Sequence, residues 1–451
     1  MNLLYKKTPF FESLATIKIN KDDLSIIENT ARYKDKILEL IAGAKQRIYI
    51  TTLYLQDDEA GQEILTAIYQ AKQNNPELEV KIFVDFLRAQ RGLMGSAKSE
   101  GNVRLYKEMD SKYQHAVEIY GVPVKSKEFL GVLHLKGFVF DETVLYSGSS
   151  INNIYLQQFE RYRYDRYHLI QSKQLADTLV QFLRLNFVNN AAVKSLTKGE
   201  VASIKTLKNA IRQMKLSLRK ADYFVKEATI KKTDNDILIS PLLGFGSRQN
   251  NLNKTIVELL RGTQKSVVVF TPYFNFPQRV NRSVRKLLKQ GKKVTIIVGD
   301  KTANDFYIPE NEPFNNAGIL PYIYETSLRR FVRANQKYVD QGVLDVNLWL
   351  DDGNSFHLKG ISSDQQNHLI TGHNINPRAW RLDIENGILI QDKAQQLKEK
   401  FDSELSQVMK HCTRINHFED IDTPEAYRPE AKKLLKRVKR AKLDSILNRL
   451  L

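Results

Sequence analysis

Two stretches of the chain repeat the same order of apolar and polar positions. A basic lead-in, an apolar run rich in β-branched and aromatic residues, and a closing Thr and Tyr occur at 45–54 and again at 265–273. Each run predicts a buried strand and is followed by a segment of helical periodicity and a second apolar run. The predicted helices and second strands cover 60–72 and 80–85 in the first half, and 279–290 and 293–300 in the second. This alternation predicts an α/β fold of β-α-β units, with a largely parallel or mixed sheet in each half.

The repeat has the size of a domain and organises the whole chain. Between its two copies lies a segment rich in Lys, Ala and Arg, with Leu or Ile at helical intervals. We therefore predict a first domain over 1–190, connecting helices over 191–235, a second domain over 236–428 and a basic amphipathic helix over 429–451.

Each half also contains the pattern His-x-Lys-x-x-x-x-Asp at a corresponding place after its predicted strands. The two copies are His134-Leu-Lys136 with Asp141, and His357-Leu-Lys359 with Asp364. A short pattern found twice in matching positions is far more specific than a single copy, so we interpret the pair as one duplicated site. Further polar residues match downstream of the two copies: Asn152 and Asp165 after the first, and Asn376 and Glu385 after the second.

The residue types of this duplicated site suit phosphoryl chemistry. Residues i and i+2 of an extended strand point to one face, so we expect each His beside its Lys, with two such strands facing one pocket. The Lys and Asn side chains would donate hydrogen bonds to phosphoryl oxygens, and one His would be the nucleophile. Asp165 and Glu385 would each accept a proton from a ring nitrogen. Such a site needs no metal ion, and we predict no cofactor.

The order of the two histidines stays open, because the two motifs are nearly symmetric. We assign His134 as the nucleophile and His357 as the general acid and base.

Other candidate residues have ordinary structural explanations. Asp141 and Asp364 follow the predicted strands, where a carboxylate commonly closes a turn, and we favour that role. The single Cys412 excludes an internal disulfide and is predicted to be an inert thiol in a reducing compartment. Six histidines lack a counterpart in the other half and are predicted to be solvated or hydrogen-bonded. They are His115, His168, His368, His373, His411 and His417, of which His373 lies nearest the motifs.

Composition limits the partners but does not select one. The 451 residues include 69 Lys and Arg against 51 Asp and Glu, a net charge of +18, and 42% are hydrophobic. This size suits two globular domains, and the charge favours nucleic acid, a phosphate-bearing substrate or an anionic membrane. The N-terminal residues lack the apolar run of a signal peptide, and no other run approaches the roughly 20 residues that span a bilayer. We therefore expect a cytoplasmic protein with peripheral membrane contact.

In this order, the motifs resemble those of the phospholipase D superfamily, whose members form a covalent phosphohistidine on one motif and use the other His as acid and base. The resemblance implies two similar α-β-α halves related by a pseudo-twofold axis, with the active site between them. Longer stretches are similar to the phosphatidylserine synthase family of Gram-negative bacteria, and the match covers nearly the whole chain. These stretches are 53–61, 120–124, 131–137, 271–277, 299–309 and 376–382.

That resemblance implies transfer of a phosphatidyl group from CDP-diacylglycerol to L-serine, with release of CMP. Tyr54 and Tyr273, at the ends of the first strands, and Arg378 and Arg381, beside the second motif, are candidates for substrate binding. The rival functions are hydrolysis or cardiolipin synthesis by the same superfamily chemistry, nuclease activity, and a basic scaffold without catalysis. We expect no specific nucleic-acid partner and predict no oligomeric state.

The C-terminal segment 429–451 carries eight Lys or Arg residues, with Leu, Val and Ile at helical intervals. This pattern predicts a basic amphipathic helix, which either lies on an anionic bilayer or packs on the body with a solvated basic face. A lipid substrate favours the membrane. We expect peripheral association with the cytoplasmic face of the inner membrane.

Overall fold

The apolar runs and helical segments form regular elements in the computed structural model, which describes residues 9–91, 101–226 and 233–440. The strands, in chain order, are β1 Ile17–Ile19, β2 Leu24–Ile26, β3 Arg47–Thr51, β4 Glu79–Asp85, β5 Glu118–Val122, β6 Gly137–Phe140, β7 Thr143–Ser147, β8 Arg163–Tyr164, β9 Tyr167–Gln171, β10 Lys194–Ser195, β11 Ile237–Phe245, β12 Ser266–Thr271, β13 Lys293–Gly299, β14 Leu344–Trp349, β15 Ser355–Phe356, β16 Gly360–Ser363, β17 Asn367–Thr371, β18 Ile384–Asp392 and β19 Cys412–Ile415. The helices are α1 Pro9–Glu12, α2 Thr30–Gly43, α3 Glu59–Asn74, α4 Phe86–Ala89, α5 Val103–Lys112, α6 Lys173–Asn186, α7 Lys208–Leu218, α8 Asn251–Gly262, α9 Gln278–Lys289, α10 Leu320–Asp340, α11 Pro377–Arg381, α12 Lys398–Met409 and α13 Pro429–Arg440.

The repeated strand-helix-strand pattern is confirmed in both halves, as β3-α3-β4 and as β12-α9-β13. Both helices begin at a recognisable signal. The Asp58 side chain accepts a hydrogen bond from the Gly61 amide at 3.0 Å and caps α3, and α9 begins directly after Pro277. The two helices therefore start shortly after the carboxyl ends of β3 and β12.

Each half is built on one mixed sheet. Among the described residues, the first sheet has eight strands in the order β10-β5-β4-β3-β6-β7-β9-β2, and the second has nine in the order β1-β11-β18-β17-β16-β12-β13-β14-β19. The runs β3-β4-β5 and β12-β13-β14 are parallel, and their neighbours β6 and β16 pair with them antiparallel. The order β4-β3-β6-β7 thus corresponds to β13-β12-β16-β17. The predicted α/β class with two similar halves is confirmed.

The two halves exchange elements across the boundaries that the sequence suggests. β1 lies in the segment predicted as the first domain, yet it pairs with β11 of the second sheet, with Ile17 opposite Ile239. The described part of 191–235 adds β10 to the first sheet and contains one helix, α7. One cluster of buried apolar side chains includes both Ile48 of β3 and Ile388 of β18. The halves therefore share a continuous core.

A buried ion pair also joins the halves. Arg166, next to β9, donates to Glu404 of α12 through Nε at 2.8 Å and through Nη2 at 2.5 Å. Its Nη1 donates to the carbonyl of Lys359 at 3.5 Å. Close by, His368 stacks on Phe401 of the same helix, with ring centroids 3.6 Å apart. Bidentate Arg–carboxylate pairs fix orientation, so this contact holds the second motif against the first half.

The described part of the C-terminal helix packs on the second half. Ala431 and Leu435 of α13 are buried in one apolar cluster with Tyr322 and Tyr427. The exposed residues of this helix are mostly basic: Lys433, Lys436, Arg437 and Arg440. Over 429–440 the structure therefore shows the packed alternative rather than a free apolar face, and residues 441–451 lie outside the described part. No helix within the described ranges is both long and apolar enough to cross a membrane.

Candidate active site

Each motif histidine lies on a short segment that pairs with the opposite half. The His134 amide donates to the carbonyl of Ile384, which begins β18 of the second sheet, at 2.9 Å. In the second half, β15 pairs in parallel with β8 of the first, and the His357 amide donates to the Tyr164 carbonyl at 2.8 Å. The residues that follow Ile384 and Tyr164 are Glu385 and Asp165, the matching carboxylates of the repeat. Each His therefore lies beside the carboxylate of the other half.

The histidine–carboxylate pairs thus cross between the halves. His134 Nδ1 lies 2.8 Å from Glu385 Oε2, and His357 Nδ1 lies 2.9 Å from Asp165 Oδ2. All four side chains are at most 9% exposed. A carboxylate at Nδ1 orients the imidazole and leaves Nε2 for a reacting atom. The crossing could not be read from the sequence, because the motif alone does not say which carboxylate meets which ring.

The prediction that the motif residues lie within strands was wrong. β6 and β16 begin at Gly137 and Gly360, directly after Lys136 and Lys359. The peptide groups before these strands find partners in the other half instead of in a sheet. The Asn386 side chain accepts from the Lys136 amide and donates to the Lys136 carbonyl, each at 2.8 Å. The His-Leu-Lys segments are therefore bridges between the halves.

The two motif lysines are buried beside these bridges. Lys359 Nζ donates to Asp165 Oδ2 at 2.9 Å and also contacts the imidazole of its own motif. Lys136 Nζ donates to the Ser149 carbonyl at 3.1 Å and contacts the Ser150 hydroxyl at 3.2 Å. Two buried ammonium groups next to the histidines can hold the non-bridging oxygens of one phosphoryl group.

Two glycines allow each lysine to approach the opposite half. A Cβ added at Gly148 would lie 2.7 Å from both Asp165 Oδ2 and Lys359 Nζ. A Cβ added at Gly372 would lie 2.8 Å from Lys136 Cγ. Contacts this short do not occur for real side chains, so the close packing of the site depends on glycine at both positions.

The motif asparagines cap backbone turns with their side-chain oxygens. Asn152 Oδ1 accepts from the Tyr155 amide at 2.9 Å, and Asn376 Oδ1 accepts from the Ala379 amide at 3.0 Å at the start of α11. Each amide keeps an NH₂ group with two donors. Donation from these groups to phosphoryl oxygens stays a prediction.

The motif aspartates tie turns to the central strands. Asp141 and Asp364 both have left-handed backbone conformations, with φ of 52° and 55°. The Asp141 carboxylate accepts hydrogen bonds from the backbone amides of 45–47, and Asp364 accepts from those of 264–266. Each carboxylate thus fixes the start of β3 or β12 against the turn that follows the motif strand.

Burial and the two ammonium groups set the protonation of the site. Burial, aided by Lys359, lowers the pKa of His357 to about 4. Burial, aided by both lysines, lowers the pKa of His134, and burial with Lys359 lowers the pKa of Lys136 to about 7. Burial by itself would raise the pKa of Asp165, but Lys359 and His357 hold it at about 2. Both imidazoles are therefore neutral near pH 7, as a nucleophile and a base require.

The two candidate tyrosines have different surroundings. The Tyr273 hydroxyl donates to Asp305 Oδ1 at 2.5 Å, and its ring centroid lies 6.2 Å from that of His357. Tyr54 is buried under the guanidinium of Arg88, which lies 4.4 Å from its ring centroid. Direct contact of either tyrosine with substrate stays a prediction.

The two candidate arginines also differ. Arg378 Nε donates to Asp383 at 3.0 Å, and Nη2 donates to the Glu128 carbonyl at 3.1 Å. After burial and the motif lysines, the charge of Arg378 contributes to the lowered pKa of His134. Arg381 is exposed at the end of α11. Of the two, Arg378 is the better placed for an anionic substrate.

Three residues of the site were missed by the sequence analysis. The Tyr155 hydroxyl lies 3.1 Å from both ring nitrogens of His357. The Arg163 guanidinium lies 4.7 Å from the Tyr155 ring centroid, and its Nη1 is 3.5 Å from Asp305 Oδ2. The one available signal was a difference between the repeats, because the position of Arg163 carries Asp383 in the second half.

His373 and Cys412, which the sequence also draws attention to, lie outside the group of residues proposed to react with substrate. His373 is fully buried, and its Nδ1 accepts from the Ile375 amide at 2.9 Å. Cys412 is partly buried, and burial raises the pKa of its thiol to about 12, which suits an inert thiol. In the part of the chain that the structure describes, no group of three or more His, Cys, Asp or Glu side chains is placed to hold a metal ion.

Two similar α/β halves, whose His, Lys and carboxylate residues meet across the boundary between them, define a two-domain protein of the phospholipase D type. Comparison with protein families agrees. The family described as "Cardiolipin synthase, PLD-like domain" matches residues 37–185 and 256–408, with one match in each half.

Comparison with individual proteins identifies the family within this phospholipase D class. The chain is 44% identical over 443 residues to the CDP-diacylglycerol–serine O-phosphatidyltransferase of Haemophilus influenzae, and the aligned region covers 97% of each chain. It is 44% identical over 440 residues to that of Escherichia coli, covering 97% of this chain and 96% of the relative. The crystal structure of phosphatidylserine synthase from Haemophilus influenzae matches with a TM-score of 0.94 at 43% identity, covering 97% of this chain and 98% of that one. The chain therefore belongs to the family of CDP-diacylglycerol–serine O-phosphatidyltransferases.

Proposed function

We propose that the chain transfers the phosphatidyl group of CDP-diacylglycerol to L-serine, giving phosphatidylserine and CMP. The observation that carries the proposal is the crossed pairing of His134 with Glu385, at 2.8 Å, and of His357 with Asp165, at 2.9 Å, in one buried site. Membership of the family supports the choice of donor and acceptor.

His134 is the nucleophile of the first step. Its Nδ1 is engaged by Glu385, and within the described residues its ring has no second hydrogen-bond partner, so Nε2 can attack the phosphorus that bears diacylglycerol. The N–P bond forms as the P–O bond to CMP breaks, and CMP leaves as a phosphate monoester. Lys136 and Lys359 stabilise the charge on the non-bridging oxygens.

His357 is the base of the second step. Its neutral imidazole takes the proton of the serine hydroxyl, and the serine oxygen attacks the phosphorus of phosphatidyl-His134. The N–P bond breaks, which gives phosphatidylserine and returns His134 to its neutral form. Asp165, which stays ionised, stabilises the imidazolium that forms on His357.

The reaction is tested by product analysis. Purified protein is incubated with CDP-diacylglycerol in mixed micelles containing serine, glycerol, phosphatidylglycerol or no added acceptor, beside a plasmid sample. We expect phosphatidylserine and CMP with serine, and the same products from His411→Asn, because this exposed histidine lies outside the site. Phosphatidic acid or cardiolipin as the main product, or a nicked plasmid, would contradict the proposal and identify a rival activity.

We also propose that the protein binds the anionic cytoplasmic face of the inner membrane as a peripheral protein. The net charge of +18 and the exposed basic residues of α13 support this. Because the apolar side of the described part of α13 packs on the body, the contact we propose for that part is electrostatic. Each basic residue near an anionic surface contributes on the order of 1 kcal/mol.

Vesicle flotation tests the membrane contact. Replacing three exposed basic residues of α13 by Gln should reduce flotation with vesicles that contain phosphatidylglycerol, as should high salt. A matched control replaces three exposed basic residues of α7. The test variant is Lys433→Gln, Lys436→Gln, Arg437→Gln, and the control is Lys205→Gln, Lys208→Gln, Arg212→Gln, with Lys205 just before α7. Equal flotation of both variants and wild type would place the membrane contact elsewhere.

A further inference from the structure

An arginine and a carboxylate beside His357 have bonding capacity that the protein does not use. Arg163 is 9% exposed, and within the described residues its Nε has no hydrogen-bond partner. Its Nη1 lies 3.5 Å from Asp305 Oδ2, which is longer than the roughly 2.7–2.9 Å of a direct charge-assisted hydrogen bond. A buried donor without a partner is costly, so each such group in a native structure calls for an explanation. A bound ligand would satisfy this one.

Aromatic residues fix this pair next to the proposed base. The Arg163 guanidinium lies 4.7 Å from the ring centroid of Tyr155, whose hydroxyl is 3.1 Å from the His357 nitrogens. The Tyr273 hydroxyl donates to the other oxygen of Asp305 at 2.5 Å. The Arg163 and Asp305 side chains remain 10% and 15% exposed, so both can still be reached from solvent. A positive and a negative group are therefore held side by side at the His357 end of the site.

Both groups are charged at neutral pH. Burial alone would lower the pKa of Arg163, but Asp305 raises it overall. Burial alone would raise the pKa of Asp305, but Arg163 and His357 lower it overall. A ligand that fits them needs one anionic and one cationic group on neighbouring atoms.

We propose that Arg163 and Asp305 bind the amino-acid acceptor, with the guanidinium on its α-carboxylate and the Asp305 carboxylate on its α-ammonium. The acceptor hydroxyl then faces His357. This inference rests on the proposed function and deepens it, because it assigns the serine pocket. A phosphate or pyrophosphate group fits this pair poorly, since Asp305 would repel it.

The other end of the site has an arginine–carboxylate pair of its own, but there the two groups are directly hydrogen-bonded. Counted from the motif carboxylates, the position of Arg163 carries Asp383 in the second half, which accepts from Arg378 at 3.0 Å and from the Val132 amide at 2.9 Å. Counted from the motif asparagines, the position of Tyr155 carries Ala379. The pair with an unused donor therefore lies on the His357 side, which agrees with His357 acting on the serine hydroxyl.

Acceptor analogues that lack one charge test the pocket. Ethanolamine lacks the carboxylate that Arg163 would bind, and 3-hydroxypropionate lacks the ammonium that Asp305 would bind. For Arg163→Gln we expect kcat/KM for serine to fall about 100-fold, the size of loss seen when one partner of a buried charge pair is removed. The preference for serine over ethanolamine should collapse in this variant. In Asp305→Asn the preference over 3-hydroxypropionate should collapse instead.

Each rate is divided by the rate of exchange of labelled CMP into CDP-diacylglycerol without serine, which reports the first step. The ratio separates loss of acceptor binding from general damage to the site. Arg161→Gln serves as the matched control, because Arg161 is an exposed arginine two positions away and should behave as wild type. If Arg163→Gln does not fold, the double variant Arg163→Gln, Asp305→Asn, which leaves no unpaired buried charge, takes its place and should lose preference over both analogues.

The outcomes separate the two proposals. If wild type makes no phosphatidylserine, the proposed function fails. If wild type makes it, but the ratio of synthesis to exchange and the analogue preferences do not change in the Arg163 and Asp305 variants, the acceptor pocket is wrong and the proposed function stands. Parallel loss of exchange and synthesis would also overturn the pocket, since it indicates a role in shaping the site rather than in binding serine.

Discussion

The two histidines occupy matching positions of a duplicated fold, but their surroundings differ. Within the described residues, the His134 ring has one hydrogen-bond partner, Glu385. The His357 ring lies against a carboxylate, a lysine and the Tyr155 hydroxyl. His134 is therefore the more open ring, as a nucleophile must be. His357 is the ring with more groups that can receive or stabilise a proton.

The two carboxyl groups differ as well. Burial raises the pKa of Glu385, whereas Lys359 and His357 hold the pKa of Asp165 at about 2 despite burial. An ionised Asp165 favours a positive charge on His357, and Glu385 gives His134 less support for such a charge. This difference suits a neutral nucleophile on one side and a proton acceptor on the other.

Some residues of the site are present in both halves, and others are present in only one. The lysines, the close-approach glycines and the turn-closing aspartates occur in both halves, and in our proposal the two lysines hold one phosphoryl group. Arg163 and Tyr155 occur on one side only. We propose that these one-sided residues allow two histidines in matching positions to perform two different steps.

The largest expected effect is that of His134→Asn. Without a nucleophile, synthesis should fall by roughly 10⁴-fold or more, because loss of a covalent nucleophile removes the whole stepwise path. Exchange of labelled CMP into CDP-diacylglycerol should vanish with it. Exchange that persists in this variant would show that His134 is not the nucleophile.

His357→Asn should have a smaller and more selective effect. Loss of a general base typically reduces a rate by about 10²- to 10⁴-fold, and here the loss should fall on the step that uses serine. CMP exchange should fall much less than synthesis, because CMP is a good leaving group. Equal loss of both rates would show that His357 is needed equally in the first step.

Replacing Gly148 or Gly372 by alanine should have different effects, mainly on activity in the first case and on stability in the second. In Gly148→Ala the added Cβ meets the ends of Asp165 and Lys359, which can move, so activity should fall more than stability. In Gly372→Ala it meets Lys136 near its backbone, so the free energy of unfolding should fall by about 1–3 kcal/mol. Denaturant unfolding and exchange assays measure the two effects. Identical profiles for the two variants would contradict this contrast.

The pH dependence of kcat/KM for CDP-diacylglycerol should have its alkaline limb near pH 7. Lys136 has a pKa of about 7 and loses its positive charge as pH rises through that value, so phosphoryl binding weakens by about tenfold per pH unit above it. On the acid side, kcat/KM for serine, which reports the second step, should fall as pH drops through about 4, where His357 becomes protonated. A flat profile to pH 9 would show that the charge of Lys136 is not needed.

Much of the framework was predictable because it depends on local patterns. Apolar runs identified β3, β4, β12 and β13, and the duplicated motif identified the residues that meet in the site. The spacing of His and Lys suggested strands, but the peptide groups there bond to the opposite half, which no local pattern encodes. Tyr155 and Asp305 were missed for the same reason, since only tertiary packing brings the Tyr155 hydroxyl to the His357 ring and Asp305 to Tyr273 and Arg163.

The C-terminal helix shows a second limit of prediction from sequence. Its amphipathic pattern is compatible with a membrane or with the protein's own surface, because either one buries an apolar face. The structure provides a cluster around Tyr322 that covers Ala431 and Leu435. Periodicity predicts that a face is buried but not what buries it.

We propose that the two sides of the site have separate roles, with the phosphatidyl group carried on His134. It is tested most directly by incubating His357→Asn with CDP-diacylglycerol without serine, quenching, and locating the modified residue by peptide mass spectrometry. We predict a phosphatidyl adduct on His134, with release of one CMP for each modified protein. An adduct on any other residue, or CMP release without an adduct, would contradict the account.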